Sequence, residues 1–279
     1  MPELPEVETI KKAVEKGIGN AKILNIDIRN RRLRELVPED MASKLKDATI
    51  TGYKRIAKYI VISTDNDICI IWHMGMSGKV KISDTIENID KHDHIIIKTT
   101  KGYVVYNDPR RFGLFTYEDE KNVLASKYLK NLGIDPFDKN FTGDCLYNKL
   151  QKKKKTPIKL ALLDQTLISG IGNIYASEIL YESRILPARL CENITLEECE
   201  SIIKNTKKVL QKAIDAGGST LRDYKKPDGS LGYFQNMHCV YNKKGQKCPH
   251  CTCDINKTGG IKSSVMGGRS TFYCESLQK

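Results

Sequence analysis

The spacing of apolar residues predicts different secondary structures in different parts of the chain. Val7, Ile10, Val14 and Ile18 recur at intervals of three and four, which predicts an amphipathic helix over residues 5–19. Residues 49–106 instead hold short β-branched runs separated by turn residues, which predict an antiparallel sandwich or barrel. The six predicted strands are Thr49–Tyr53, Lys58–Thr64, Asp67–His73, Gly78–Ser83, His94–Thr99 and Tyr103–Tyr106.

Helical spacing returns in the second half of the chain. It covers residues 160–167 and 173–184, and the clearest helix is predicted from Leu196 to Ala216. Thr195 and Glu198 have capping-box spacing at the start of that helix. Beyond residue 228 the chain is rich in turn residues and cysteines. The order is therefore a helix, a β-domain, a linker, a helical domain and a small cysteine-bearing module.

The charge balance narrows the class of partner. Lysine and arginine outnumber aspartate and glutamate by 46 to 34, which gives a formal net charge of +12. Such an excess favours a polyanionic partner, although it could also serve solubility alone. No apolar run approaches the roughly 20 residues that span a bilayer, and the N-terminus lacks the apolar block of a signal peptide. We therefore expect a cytoplasmic protein whose nine cysteines do not form a disulfide framework.

The first residues carry the most unusual chemistry. Removal of the initiator Met would make Pro2 a free secondary amine, and an α-amino group has a pKa of about 7.7–8.0, so part of it is unprotonated near neutrality. Such an amine can attack an aldehyde-like carbon and form an iminium ion that drives elimination. The nearby carboxylates of Glu3 and Glu6 could divide the acid and base roles. The alternative is an ordinary first helical turn.

Four other segments could bind DNA or could be ordinary structure. His73–Gly78 places two methionines between glycines, as a wedge for a base stack or as core. Asp108–Gly113 holds two arginines and a phenylalanine, which could fill the gap left by an extruded base or form a salt-bridge loop. Lys152–Lys155 could contact phosphates or be a solvated linker. Gly170–Glu178 lacks the third glycine of a dinucleotide-binding fingerprint, but its helix start, with Asn173, suits a phosphate.

Taken in order, these segments resemble the bacterial formamidopyrimidine-DNA glycosylases. The matching sequences are MPELPEVET, Lys58 within RIAKY, HMGMSG, KHDH, DPRRFG, GIGNIYASE and GRSTFYC. The resemblance implies a bifunctional DNA glycosylase and AP lyase that excises 8-oxoguanine and formamidopyrimidines through a Schiff base, then cuts the strand by β,δ-elimination. It also implies double-stranded DNA as partner, a monomer that requires no protein partner, no cofactor for catalysis and a nucleoid-associated location.

The resemblance assigns roles to individual residues. Pro2 would be the nucleophile at C1′, Glu3 the acid and base, and Glu6 a carboxylate acting through water. Lys58 would lie near the lesion, and Arg269 would contact phosphate and assist the final elimination. The other residues matched to DNA contacts are His73, Met76, His92, Arg110, Phe112, Lys154, Lys155 and Asn173, and a loop closing over the extruded base would include Gly217, Ser219, Thr220 and Tyr224.

The implied fold is α+β. An N-terminal antiparallel β-sandwich flanked by helices is followed by a helix–two-turns–helix domain and a zinc-finger-like β-hairpin module. The expected boundaries are residues 1–130 for the catalytic sandwich domain with its helix, 131–155 for a linker, 156–234 for the DNA-binding helical domain and 235–279 for the finger-like module.

The cysteines depart from the family pattern. Cys248 and Cys251 form a first pair, and Cys274 begins the second, but Leu277 stands where the last cysteine is expected. Three thiolates do not complete a closed structural zinc site. The resemblance implies one structural Zn²⁺, whose fourth ligand could come from Cys253, His250, Cys239 or water, or the site could hold no metal.

Two other functions stay open on the sequence. A related endonuclease VIII-type glycosylase would prefer oxidised pyrimidines, but its members more often begin Pro-Glu-Gly and lack the Arg-Arg-Phe turn. A protein that binds DNA or RNA without catalysis is the alternative from a different class.

Overall fold

The structure, a computed structural model, describes residues 2–219 and 232–279, and within them the chain divides into two units. The first unit comprises residues 2–131 with 213–219 and 232–235, and the second comprises 132–212 with 236–279. The four segments expected from the sequence remain a prediction. No helix in the described ranges is both long and apolar enough to cross a membrane.

Two four-stranded antiparallel sheets form the β-sandwich of the first unit. The strands are β1 (Ile23–Ile28), β2 (Ile50–Ile56), β3 (Tyr59–Thr64), β4 (Ile68–His73), β5 (Lys79–Ser83), β6 (Asp93–Thr99), β7 (Gly102–Asn107) and β8 (Leu114–Asp119). Their order is β1-β6-β7-β5 in one sheet and β2-β3-β4-β8 in the other. The predicted sandwich is confirmed. Its sheets also contain β1 and β8, two edge strands beyond the six predicted.

Aromatic side chains join the two sheets at the centre of this sandwich. Trp72 on β4 contacts Phe115 on β8 and Tyr106 on β7 edge-on, with ring centroids 5.3 Å apart in both pairs. All three side chains are buried. Edge-to-face pairs add about 0.5–1.5 kcal/mol each beyond the burial of their area. The Trp72–Tyr106 pair crosses between the sheets and so helps to fix how they pack, whereas the Trp72–Phe115 pair lies within one sheet.

The predicted N-terminal helix forms α1 (Leu4–Ile18), which packs against strands of both sheets. The four apolar residues that predicted it, Val7, Ile10, Val14 and Ile18, are all buried. Glu3 is the N-cap of this helix, so Pro2 directly precedes the first turn. The same unit contains the short helix α2 (Met41–Leu45) and a 3₁₀ turn at Glu120–Ala125.

The second unit contains most of the remaining helices and a hairpin. These elements are α3 (Gly143–Leu150), α4 (Ile158–Leu163), α5 (Asn173–Glu182), α6 (Leu196–Asp215, which ends in the first unit), α7 (Ile255–Thr258), β9 (Lys262–Met266) and β10 (Arg269–Tyr273). The capping box predicted for α6 is present, since Glu198 N donates to Thr195 Oγ1 and Thr195 N donates to Glu198 Oε2. The helix predicted over 160–167 instead ends at Leu163, because Asp164 turns to an extended backbone.

Candidate functional site

The start of α1 holds two buried carboxylates next to Pro2. Glu3 and Glu6 form a reciprocal capping box in which Glu3 accepts the backbone N–H of Glu6, and Glu3 N donates to Glu6 Oε2 at 2.9 Å. Their exposed fractions are 2 % and 1 %, and Pro2 is buried as well. Because burying a carboxylate is costly unless it accepts hydrogen bonds, the backbone amides at the helix start are what make this arrangement stable.

The segment after α6 contacts the same helix start. Ser219 N donates to Glu6 Oε1 at 2.8 Å, so both oxygens of this carboxylate accept a backbone amide. Gly217 and Ser219 of the expected lesion loop are thus described, whereas Thr220 and Tyr224 lie outside the described residues.

Lys58 occupies the two-residue turn between β2 and β3. Its side chain is buried, with 6 % exposed. The Arg55 guanidinium at the end of β2 pairs with the Glu8 carboxylate of α1 at 3.1 Å, which joins the hairpin to the first turns of the helix. The structure therefore attaches the element carrying Lys58 to the element that follows Pro2.

His73, at the end of β4, is a neutral side chain in this environment. Burial, together with the positive charges of Arg34 and Lys58, lowers the pKa of His73 to about 4. Its Nδ1 accepts a hydrogen bond from Gly75 N at 3.0 Å. This contact shapes the turn that follows the strand, so the predicted DNA-binding histidine also has a structural role.

Met76, Arg110 and Phe112, the stack-filling residues of the prediction, lie together at the surface of the first unit. Met76 and Phe112 are 38 % and 46 % exposed, and both line an open cavity of about 310 Å³. The Arg110 guanidinium lies 4.8 Å from the centroid of the Phe112 ring. Of the two methionines in the motif, only Met74 belongs to the core.

The expected phosphate contacts of the two units differ in exposure. His92 is partly exposed, and its backbone N–H donates to Asp90 Oδ1 at 2.7 Å. Lys152, Lys154 and Lys155 are exposed, whereas Lys153 is partly buried and pairs with Asp164 at 2.7 Å. Lys154 and Lys155, the two lysines that the resemblance matches to phosphate contacts, are therefore accessible from solvent.

A buried lysine that the sequence reasoning missed organises the second unit. Lys159 on α4 is 0 % exposed, and its Nζ donates to Asn173 Oδ1 and Thr271 Oγ1, both at 2.7 Å, and to the Ser270 carbonyl at 3.1 Å. Asn173 Nδ2 donates to the same carbonyl at 2.9 Å. Lys159 therefore ties the start of α5 to β10. Its sequence signal is a single charge within an otherwise apolar helix, because a buried charge must be paired.

Arg269 stands at the tip of the β9–β10 hairpin. Gly267 and Gly268 form the two-residue turn, and Arg269 pairs with Met266 across it. Its side chain is exposed, and the residue that follows it, Ser270, accepts the Lys159 and Asn173 hydrogen bonds. The buried network thus fixes the backbone beside an exposed guanidinium.

Three of the four cysteine positions expected for a finger converge in the second unit. The sulfur atoms of Cys248, Cys251 and Cys274 all lie within 4.8 Å of one another, and those of Cys251 and Cys274 are 3.8 Å apart. Thiolates on one tetrahedral zinc, with bonds of about 2.3 Å, are about 3.8 Å apart. The cluster therefore fits a metal ion. Leu277 packs instead against a buried apolar cluster that itself includes Cys248 and Cys274.

The other candidates for a fourth metal ligand are Cys239, His250 and Cys253. Cys239 and His250 form a second group with Glu182, whose ligand atoms lie within 4.8 Å of one another. The Glu182 carboxylate is already paired with Lys208 at 2.8 Å. The interaction with Cys251 is the chief cause of a lowered pKa of the Cys253 thiol, but the Cys253 sulfur is not one of the three that lie within 4.8 Å of one another.

Comparison with known proteins gives the family context of these sites. The family model for the formamidopyrimidine-DNA glycosylase N-terminal domain matches residues 1–115, and that for the H2TH domain of the same enzymes matches residues 132–225. Proteins with the name formamidopyrimidine-DNA glycosylase from Zymomonas mobilis and Dichelobacter nodosus are 41 % and 42 % identical to the chain, with both proteins covered over their full length.

Solved structures agree with the sequence comparisons. A mutant form of the Lactococcus lactis FPG in complex with DNA containing Fapy-dG superimposes with a TM-score of 0.90 at 33 % identity, over 100 % of both chains. The Lactococcus lactis protein bound to DNA containing an abasic site gives 0.89 at 33 % identity, over 99 % of both chains. The chain described here belongs to the formamidopyrimidine-DNA glycosylase family, whose members are DNA glycosylases and AP lyases of base excision repair.

Proposed function

We propose that this family member excises oxidised purines from double-stranded DNA with the Pro2 amine as its nucleophile. The observation that carries the proposal is the pair of buried carboxylates, Glu3 and Glu6, at the helix start that directly follows Pro2. A secondary amine with a pKa of about 7.7–8.0 is partly unprotonated at neutral pH, which a nucleophile requires. The amine becomes available once Met1 is removed.

The chemistry needs one covalent intermediate. The Pro2 nitrogen bonds to C1′ as the bond from C1′ to the base breaks, and the base leaves with a proton. Opening of the sugar ring gives an iminium ion, and O4′ takes up a proton that Glu3 supplies. The iminium withdraws electrons, so C2′ loses a proton and the 3′-phosphate is expelled. A second elimination, with loss of the C4′ proton, then expels the 5′-phosphate. Water finally hydrolyses the bond between C1′ and the Pro2 nitrogen, which releases the sugar fragment as an aldehyde and restores the amine.

The other residues of the first unit handle the extruded nucleotide in this proposal. Glu6 acts through water and positions its neighbours, in keeping with its two backbone hydrogen bonds. Lys58 contacts the lesion nucleotide, with His73 beside it. The stack-filling residues Met76, Arg110 and Phe112 take the place of the extruded base, whose unstacking costs a few kcal/mol. Gly217 and Ser219 begin the segment that covers it.

Phosphate contacts hold the duplex without reading its sequence. We assign these contacts to His92 in the first unit and, in the second unit, to Lys154, Lys155, Asn173 and Arg269, where Arg269 also assists the last elimination. A chromosomal DNA substrate would bring the protein to the nucleoid, in keeping with the cytoplasmic location expected from the sequence.

We also propose that the cysteine cluster holds one structural zinc ion. Cys248, Cys251 and Cys274 supply three thiolates, and the fourth ligand is either Cys253, two residues after Cys251, or water. The zinc would stabilise the module that carries Arg269 and would take no part in the reaction. Metal analysis of the purified protein tests this assignment.

Borohydride trapping tests the proposed activity. A duplex containing 8-oxoguanine opposite cytosine should give a covalent protein–DNA adduct, because borohydride reduces the iminium to a stable amine. A duplex containing an oxidised pyrimidine is the comparison, since the Lactococcus lactis protein is also known in complex with DNA of that kind. An adduct with the pyrimidine alone would favour an endonuclease VIII-type specificity. DNA binding without any adduct would favour a protein that only binds nucleic acid.

A further inference from the structure

The stack-filling residues are carried by two separate turns. Met76 lies between β4 and β5, and Arg110 and Phe112 lie between β7 and β8. Their side chains are exposed, so packing around them does not hold them in place. Whether they act as one unit therefore depends on what fixes the two turns relative to each other.

A fully buried carboxylate lies between these turns. Asp108 is 0 % exposed, and its Oδ2 accepts Gly113 N at 2.8 Å and the Tyr106 hydroxyl at 3.1 Å. Its Oδ1 accepts the Ser77 hydroxyl at 2.6 Å. The Asp108 carbonyl also accepts Arg111 N at 3.1 Å. One side chain thus closes its own turn and reaches across to the other.

Ser77 completes the connection between the two turns. Its hydroxyl donates to Asp108 and accepts the backbone N–H of Arg110 at 3.2 Å. Ser77 is directly adjacent to Met76 in the sequence, and it is buried, with 4 % exposed. The hydrogen-bond chain from Arg110 through Ser77 to Asp108 therefore links the backbone on both sides of the stack-filling residues.

Close backbone contact reinforces this link. Gly75 has a φ of +63°, and a Cβ there would lie 2.4 Å from Gly113 N. A Cβ on Gly113 would lie 1.6 Å from the Tyr106 hydroxyl. A side chain at Gly75 would push the turns apart, and one at Gly113 would displace the Tyr106 hydroxyl that donates to Asp108. The two turns are thus packed backbone to backbone around the Asp108 carboxylate.

We propose that Asp108 and Ser77, here called the turn latch, hold Met76, Arg110 and Phe112 in one rigid arrangement before DNA binds. This inference rests on the proposed function, in which these three side chains fill the space of the extruded base. Asp108 and Ser77 are positioning residues, because they are buried and act through the turns they connect. Fixing the turns in advance lowers the entropy lost when the side chains enter the stack.

The turn latch should affect extrusion of the damaged base and not the later cleavage of the strand. Extruding a paired base requires the stack-filling residues, since that step has to overcome base stacking and pairing. Cutting the strand at a preformed abasic site has no base to extrude. A defect in the latch should therefore lower excision from a paired duplex and spare cleavage at an abasic site.

The test compares Ser77→Ala and Asp108→Asn with wild type under single-turnover conditions. Ser77→Ala removes the hydroxyl that links the two turns. Asp108→Asn keeps the size and shape of the side chain but replaces one acceptor oxygen with an NH₂ group, which donates. Excision of 8-oxoguanine from a paired duplex should fall between about 10-fold and 100-fold, the loss expected when positioning groups are misplaced by up to about 1 Å. Ser63→Ala is the matched control, because the Ser63 hydroxyl contacts Cys69 between β3 and β4 and belongs to neither turn.

Two further readouts separate positioning from loss of structure. Cleavage of a duplex with a preformed abasic site should stay within about twofold of wild type in Ser77→Ala. The fluorescence rise of 2-aminopurine placed beside the lesion, which reports unstacking, should slow along with excision.

Each outcome decides the question. Unchanged paired-duplex excision and 2-aminopurine kinetics in folded Ser77→Ala would overturn the latch while leaving the proposed function intact. Equal losses on paired and abasic substrates would also overturn it, since they would mark a general structural defect. Wild-type protein that excises no base would overturn the proposed function, and the latch with it.

Discussion

Glu6 is a side chain that the fold requires and to which we also assign a part in the reaction. Its two oxygens accept the backbone amides of Glu3 and Ser219, so the carboxylate that caps α1 also holds the segment after α6. The sequence could not separate an ordinary helix start from a catalytic one, because both need acids at the same positions. The structure contains the complete capping box, and it adds the contact to Ser219 that an ordinary helix start does not require.

The role of Glu3 can be tested without disturbing the helix start. Glu3→Gln keeps an oxygen that accepts the capping hydrogen bond, but its amide cannot donate and accept a proton as the carboxyl group does. Base excision should fall by about 10²–10⁴-fold, the usual contribution of a general acid or base, while DNA affinity is retained. Glu15→Gln, which changes a half-exposed carboxylate paired with Lys11 farther along α1, is the control. Excision in Glu3→Gln at the wild-type rate would exclude Glu3 from proton transfer.

The buried hydrogen-bond network of Lys159 could not be predicted from the sequence. The basic run Lys152–Lys155 can be recognised in the sequence because it is continuous, whereas Lys159 lies alone in the apolar segment of α4. Its partners are 14, 111 and 112 residues away in the sequence, so no local pattern could identify them.

Removal of this ammonium should weaken the second unit. Lys159→Met preserves chain length but takes the donor away from Asn173, Ser270 and Thr271, so urea unfolding should show a loss of about 1–3 kcal/mol. Affinity for DNA should fall as well, because Asn173 and the backbone next to Arg269 lose their support. Lys154→Met, at an exposed position, should stay within about 0.5 kcal/mol in stability. Equal unfolding free energies for the two variants would refute this account of Lys159.

At the scale of elements, the sequence predicted the buried parts best. Six strands and α1 could be recognised because their apolar residues face a core with a clear period. The two unpredicted strands, β1 and β8, lie at sheet edges. β1 contains Asn25 and Asp27, and β8 ends in Glu118 and Asp119, residue types that are depleted in strands. The hydrogen bonds of β1 to β6 and of β8 to β4 stabilise these two strands, although their own residues have a weak preference for strands.

The finger-like module offers a substitution that restores the family pattern. Leu277→Cys places a thiol at the position where the fourth cysteine is expected, so affinity for Zn²⁺, measured by competition with a chromophoric chelator, should increase. Leu277→Ala is the matched control, because it loses the same packing against the apolar cluster and offers no ligand. If both variants bind zinc equally tightly, position 277 does not face the metal.

For the whole molecule, the net positive charge is the property that favours binding to DNA. A chain with a charge of +12 should release counterions when it binds DNA, so the logarithm of its affinity should fall linearly with the logarithm of the salt concentration. Replacing both Lys154 and Lys155 with alanine should reduce that slope by about 2. Lys127→Ala should leave the slope unchanged, because Lys127 already pairs with Glu35 at 2.7 Å. A slope that does not depend on Lys154 and Lys155 would remove them from the phosphate contacts.

The central claim is that the Pro2 nitrogen forms the covalent bond to DNA. The most direct measurement is mass spectrometry of the peptide that carries the adduct after borohydride trapping on an 8-oxoguanine duplex and proteolysis. The sugar fragment should be found on the N-terminal peptide that begins at Pro2, and a preparation that retains Met1 should give no adduct. An adduct on a lysine such as Lys58, or full trapping by protein that retains Met1, would contradict the account.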